Sequence, residues 1–153
     1  MLSRAYLMSI ESSLNYLFFD KALLERALTR RAYADEQNRC GKLYKDQEAF
    51  RTLGDAVLKT ILSDLLMNAG CQTRDSITKK KEQLECQPML GKIAREVEVG
   101  SYIRLGKGEA KHNAQQNLSV LAETLEALIA AIYFDGGYEA AKRVVSRLFE
   151  RLI

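Results

Sequence analysis

Residues 47–58 read Gln47-Glu48-Ala49-Phe50-Arg51-Thr52-Leu53-Gly54-Asp55-Ala56-Val57-Leu58, and apolar residues continue at helical spacing through Ile61, Leu62 and Leu65. The spacing predicts a helix over 47–67 that buries Leu53, Val57, Leu58, Ile61, Leu62 and Leu65 and stops at Asn68-Ala69-Gly70. Glu48, Arg51 and Asp55 fall at i, i+3 and i+7 on the opposite stripe. Gly54 costs such a helix about 1 kcal/mol against alanine. A glycine kept there implies close packing beside Asp55, the alternative being an incidental surface glycine.

A second stretch, Leu121-Ala122-Glu123-Thr124-Leu125-Glu126-Ala127-Leu128, puts two carboxylates three residues apart on one face. It lies in a predicted helix over 118–134 that is apolar almost all round and so belongs at the centre of a bundle. Ala122, Ala127, Ala130 and Ala131 are small enough to let the 47–67 helix approach closely. Asp55 is then expected within reach of Glu126. With Glu123 they form the oxygen-rich donor set that a hard divalent cation takes. The competing reading is a pair of rim carboxylates bonded to Lys or Arg, because two ionised acids in an apolar helix must be paired, hydrated or metal-bound.

The rest of the chain is also helical in period. Asp20 caps a predicted helix over 21–31 with Ala22, Leu23, Ala27 and Leu28 as its stripe, and 35–46 reads as a loop. Thr73 or Asp75 caps a basic helix ending near Cys86, Pro88 opens another through Glu98, and Gly100 stops it. Residues 104–117 read as a loop, and Gly136-Gly137 turns the chain into a last helix over 138–152. No strand is expected. The fold class is all-α, one domain over 1–153.

The 153 residues are 47% hydrophobic and 28% charged, which excludes a disordered chain. A net charge of +3 is compatible with nucleic acid without arguing for it. Cys40, Cys71 and Cys86 show no paired spacing, so neither a disulfide framework nor a zinc site is indicated. No apolar run approaches the ~20 residues of a membrane span, and residues 1–19 lack the apolar core and cleavage site of a signal peptide. A cytoplasmic protein with no membrane association is expected.

Four motifs in order carry a family resemblance. Leu23-Leu24-Glu25-Arg26-Ala27-Leu28-Thr29-Arg30-Arg31-Ala32-Tyr33 is similar to the ribonuclease III opening "leu-leu…ala-leu-thr-his-arg-ser-tyr". Leu53-Gly54-Asp55-Ala56-Val57-Leu58 matches that family's signature helix; Leu105-Gly106-Lys107-Gly108-Glu109 and Ala131-Ile132-Tyr133-Phe134-Asp135-Gly136-Gly137 match its loop and late helix. The resemblance implies a helical endonuclease domain that dimerises and cleaves double-stranded RNA with Mg²⁺ (Mn²⁺ as substitute), leaving 5′-phosphate and 3′-hydroxyl ends.

By resemblance, Asp55 and Glu126 match catalytic, metal-binding carboxylates, and Glu123 stands where the family has aspartate. Glu48 matches a supporting acid. Arg51 replaces a metal-binding glutamate, and no carboxylate stands near Gln87 and Pro88 where the family carries another. With glutamate at 51 the group formed with Asp55, Glu123 and Glu126 would carry −4; with arginine it carries −2, one negative charge being removed and one positive added. A permanently charged guanidinium is expected to take the cation's place, bonding Asp55 and at least one of Glu123 and Glu126. In that case no cofactor is held, cutting is impaired, and Arg51→Glu raises Mg²⁺ affinity. The alternative is that Arg51 snorkels outward to Glu48 and leaves the site open, as in an active Mg²⁺-dependent endonuclease; a third reading is a non-catalytic partner subunit or a structural component of a ribonucleoprotein.

Arg74, Lys79, Lys80, Lys81, Arg104, Lys107 and Lys111 are the candidate RNA contacts, of the phosphate-directed kind that gives affinity without sequence specificity. His112 is expected to be exposed. Thr52 replaces the phenylalanine with which one subunit of the family plugs the other, and Phe50 either substitutes for it at a dimer interface or folds into its own core. A homodimer is expected, a heterodimer with an active relative being the alternative. No double-stranded RNA-binding domain is read after the helical domain, so the expectation is weak, salt-sensitive binding or reliance on a partner to deliver substrate.

Overall fold

The computed structural model describes residues 2–153. It contains eight helices among the described residues: α1 (Arg4–Leu14), α2 (Lys21–Ala27), α3 (Arg31–Arg39), α4 (Glu48–Asn68), α5 (Arg74–Glu85), α6 (Gln87–Glu96), α7 (Lys107–Lys111) and α8 (Leu118–Leu148). Short 3-10 turns cover Val99–Tyr102 and Ala114–Gln116. The all-α expectation holds. Among the described residues the sole β-type pairing is an isolated bridge between Thr29 and Arg104.

That bridge explains the first departure from the sequence reading. The expected helix over 21–31 breaks because Arg104 N–H donates to Leu28 O at 2.8 Å and Arg30 N–H donates to Arg104 O at 3.1 Å. The segment 28–30 spends its backbone groups on a distant partner, and α3 then runs into the region expected as loop. The loop over 104–117 likewise contains α7, whose Gly106 and Lys107 amides donate to Glu109 and Glu36 carboxylates. α1, for which the sequence reading offers no element, is capped by Ser3, whose side chain accepts from Tyr6 N–H.

α8 is the central element. Leu121, Leu125, Leu128, Ile129 and Ile132 are essentially inaccessible, and α4, α6 and α2 pack around it. α4 crosses α8 at Gly54, where an added Cβ would lie 1.7 Å from the Glu126 carbonyl oxygen. The close approach expected of Gly54 is therefore realised at Glu126 itself. Val57, Leu58, Ile61 and Leu62 are buried as expected, Leu53 and Leu65 are half-buried, and Leu66 is buried in their stead. Gly137 leaves helical geometry at φ 82°, ψ −176°, so α8 changes direction where one helix was expected to end and the next to begin.

Candidate active site

α4 and α8 bring Glu48, Arg51, Thr52, Asp55 and Glu126 to the wall of one open cleft of about 290 Å³. Glu126 is half-buried. Burial, then the nearby Asp55 charge, raises its carboxyl to about 7, with Arg51 pulling in the opposite direction. Asp55 does not meet Arg51. It accepts from Lys59, one turn further along α4, at 3.0 Å, with both side chains nearly half exposed.

Arg51 turns instead to Glu48 at 2.9 Å and Glu123 at 3.0 Å. Of the two expectations for this side chain, each is half realised: it reaches one carboxylate of the predicted centre and also the supporting Glu48. The expected bond to Asp55 is corrected. At i, i+4 the spacing permits the pair, but the fork spans the gap from α4 to Glu123 on α8, and the shorter Lys59 ammonium takes Asp55.

Glu123 carries a second arginine that the sequence reading did not place here. Arg30 Nη1 approaches Glu123 Oε2 at 2.5 Å, while its Nε and Nη2 both donate to Glu109 Oε2 at 3.0 and 2.9 Å. The same Nη1 reaches Gln47 Oε1 at 3.3 Å. Gln47 is fully buried and donates to Ala27 O at 2.7 Å and Thr124 Oγ1 at 3.3 Å, joining α2, α4 and α8 behind the site. The one sequence signal for Arg30 was its position, where the resembling motif has histidine. For Lys59 the signal was its spacing from Asp55.

A divalent cation wants several free oxygen donors at one point. Glu123 is spoken for by two guanidinium groups, and among the described residues no three His, Cys, Asp or Glu side chains are gathered as a metal-ligating group. The donor set in this arrangement does not fit the ion.

The remaining predicted positions separate. Arg74, Lys79, Lys80, Lys107 and Lys111 are exposed and Lys81 is half-buried. Arg104 is corrected: it is buried, bonds Glu25 at 3.3 Å and stacks near Tyr33 and Tyr44, so its charge serves the core and not RNA. Phe50 is also corrected as a candidate interface aromatic. It is buried against Phe134 at 5.4 Å with the Arg26 guanidinium 4.4 Å from its ring, while Thr52 is exposed. His112 is exposed, Cys40, Cys71 and Cys86 are free thiols, and among the described residues no helix is long and apolar enough to cross a membrane.

Comparison with known proteins agrees with this architecture. The family model described as ribonuclease-III-like matches residues 20–152. The chain is 40% identical over 146 residues to ribonuclease 3 of Caldanaerobacter subterraneus subsp. tengcongensis, covering 94% of this chain and 62% of the relative. It is 38% identical over 143 residues to ribonuclease 3 of Magnetococcus marinus, covering 92% and 58%. It thus spans about 60% of the length of the curated relatives it matches. A solved structure of the ribonuclease III nuclease domain from Campylobacter jejuni, concerned with flexibility in a region involved in dimer formation, superposes with a TM-score of 0.84 at 30% identity over 95% of this chain and 96% of that one. Matched by the family model over residues 20–152 and superposing with a ribonuclease III nuclease domain over nearly its whole length, the chain belongs to the ribonuclease III-like family.

Proposed function

We propose that this chain is a ribonuclease III-type domain that binds double-stranded or structured RNA and whose cutting is impaired at the acidic centre. One observation carries the reading: Arg51 occupies the gap between Glu48 and Glu123, where family resemblance calls for a metal-binding carboxylate. A guanidinium held between two carboxylates supplies permanent positive charge without a cation. The exposed cations on α5 and α7 supply phosphate contacts, which suffice for shape-based recognition of an RNA duplex.

A homodimer is part of the proposal. Tyr133 and Phe134 are exposed beside Phe50 on the α4–α8 face, leaving apolar surface for a second copy even though position 52 carries no aromatic plug.

The test is a gel-shift and cleavage assay on long duplex RNA in Mg²⁺, in Mn²⁺ and in EDTA. The expected result is similar retention of RNA in all three and no cleavage above that of an Asp55→Asn control. Cleavage in Mg²⁺ that the Asp55→Asn change abolishes would make the chain an active endonuclease and overturn the impaired reading; no RNA retention would overturn the binding half.

A further inference from the structure

Glu123 is held from two sides, and the two arginines are unequal. Arg51 is 29% exposed and shares its fork between Glu123 and Glu48, itself on the open rim. Arg30 is 16% exposed, stands immediately before α3, and reaches Glu123 without lining the cleft. Its Nε–Nη2 edge is clamped to Glu109, and its backbone N–H is fixed to Arg104 O. Should Arg51 be lost, Arg30 has nowhere to go. Two of its three nitrogens remain tied to Glu109, and the third keeps pointing at Glu123.

Resting on the reading above, we infer that the acidic centre has two resident cations and that Arg30 is the one that withholds Glu123 from a metal. Arg51 is the visible substitution at the rim; Arg30 is a positioning residue behind it. Arg51→Glu, the change that the sequence alone marks as restoring, then adds a carboxylate to a centre in which Glu123 is still neutralised. Lys59 is not a comparable lock, because an exposed i, i+4 ion pair is screened and worth little, and an arriving cation displaces it readily.

The measurement is Mn²⁺ binding to the purified chain without RNA, by calorimetric titration and by the shift in melting temperature. Its outcome is therefore independent of whether RNA is the ligand. The native chain and Arg51→Glu are expected to bind weakly or not at all. Arg30→His with Arg51→Glu is expected to bind at least about tenfold more tightly than Arg51→Glu alone, about 1.4 kcal/mol. Lys59→Gln with Arg51→Glu is expected to stay within about threefold of Arg51→Glu, about 0.7 kcal/mol.

Histidine is the residue that the family resemblance has at position 30, which favours folding of the variant. If it nevertheless fails to fold, Arg30→Lys with Arg51→Glu replaces it, since an ammonium lacks the rigid fork that ties Glu109 and Glu123 together, and a gain of about threefold is expected. Tight Mn²⁺ binding by Arg51→Glu alone, a gain with Lys59→Gln equal to that with the Arg30 variants, or no gain from either Arg30 variant overturns the inference.

Discussion

Glu126 and Gly54 show how one residue on each helix sets the character of the cleft. Glu126 is held near pH 7 by burial first and by Asp55 second, so the folded chain keeps a proton that the unfolded chain releases in the ordinary glutamate range of about 4.5. The folded chain therefore binds more protons between those values. The stabilisation from that proton is complete below about pH 4.5 and is lost as pH rises through about 7. Denaturant unfolding from pH 5 to 8 should show stability falling across this window, and Glu126→Gln should flatten the fall; an unchanged slope would place the titration elsewhere. Gly54→Ala should destabilise the chain by about 3 kcal/mol in spite of alanine's better helix propensity. The new Cβ would lie 1.7 Å from a backbone oxygen of α8, so one of the two helices must shift. An equilibrium unfolding midpoint equal to the parent's would contradict that crossing.

At the scale of elements, the joint between the α1–α2 connection and the late part of α8 depends on one carboxylate. Asp135 accepts from Tyr16 Oη at 2.7 Å, Phe19 N–H at 3.0 Å and Asp20 N–H at 2.9 Å. Burial pushes the Tyr16 phenol well above its usual range, and the bond to Asp135 adds to the effect. The same carboxylate stands immediately before the Gly136-Gly137 turn, so it fixes the connection at the point where α8 changes direction. Asp135→Ala leaves three donors without their charged acceptor and should cost about 3 kcal/mol. Hydrogen exchange should rise at the amides of Phe19 and Asp20 before it rises in α4. Uniform exchange across the molecule would mean that Asp135 acts on global stability alone.

For the whole molecule, positive charge is spread over α5 and α7 and is not concentrated at the cleft, where cations are matched by acids. RNA binding of this kind should depend steeply on salt. Lys79→Gln with Lys80→Gln should weaken duplex RNA binding and reduce the slope of log affinity against log salt by about 2, whereas Arg104→Gln should act through lost stability and leave the slope nearly unchanged. Equal slopes for the parent and the double lysine variant would remove α5 from the interface. Periodicity alone determined the helical class and the central place of residues 118–134, because each depends on spacing within one segment, and the glycine at 54 marked where another helix comes close. The acidic positions and the family resemblance were likewise legible in local motifs. Long side chains were not. Arg51 chose Glu123 over the Asp55 that its own helix offers, Arg104 folded inward onto Glu25, and Phe50 found Phe134 and Arg26. Arg30 became part of the centre from 93 residues away. Spacing fixes which face a residue occupies, but the partner of a flexible charged chain depends on what other elements bring within reach, and that is decided only when the helices pack.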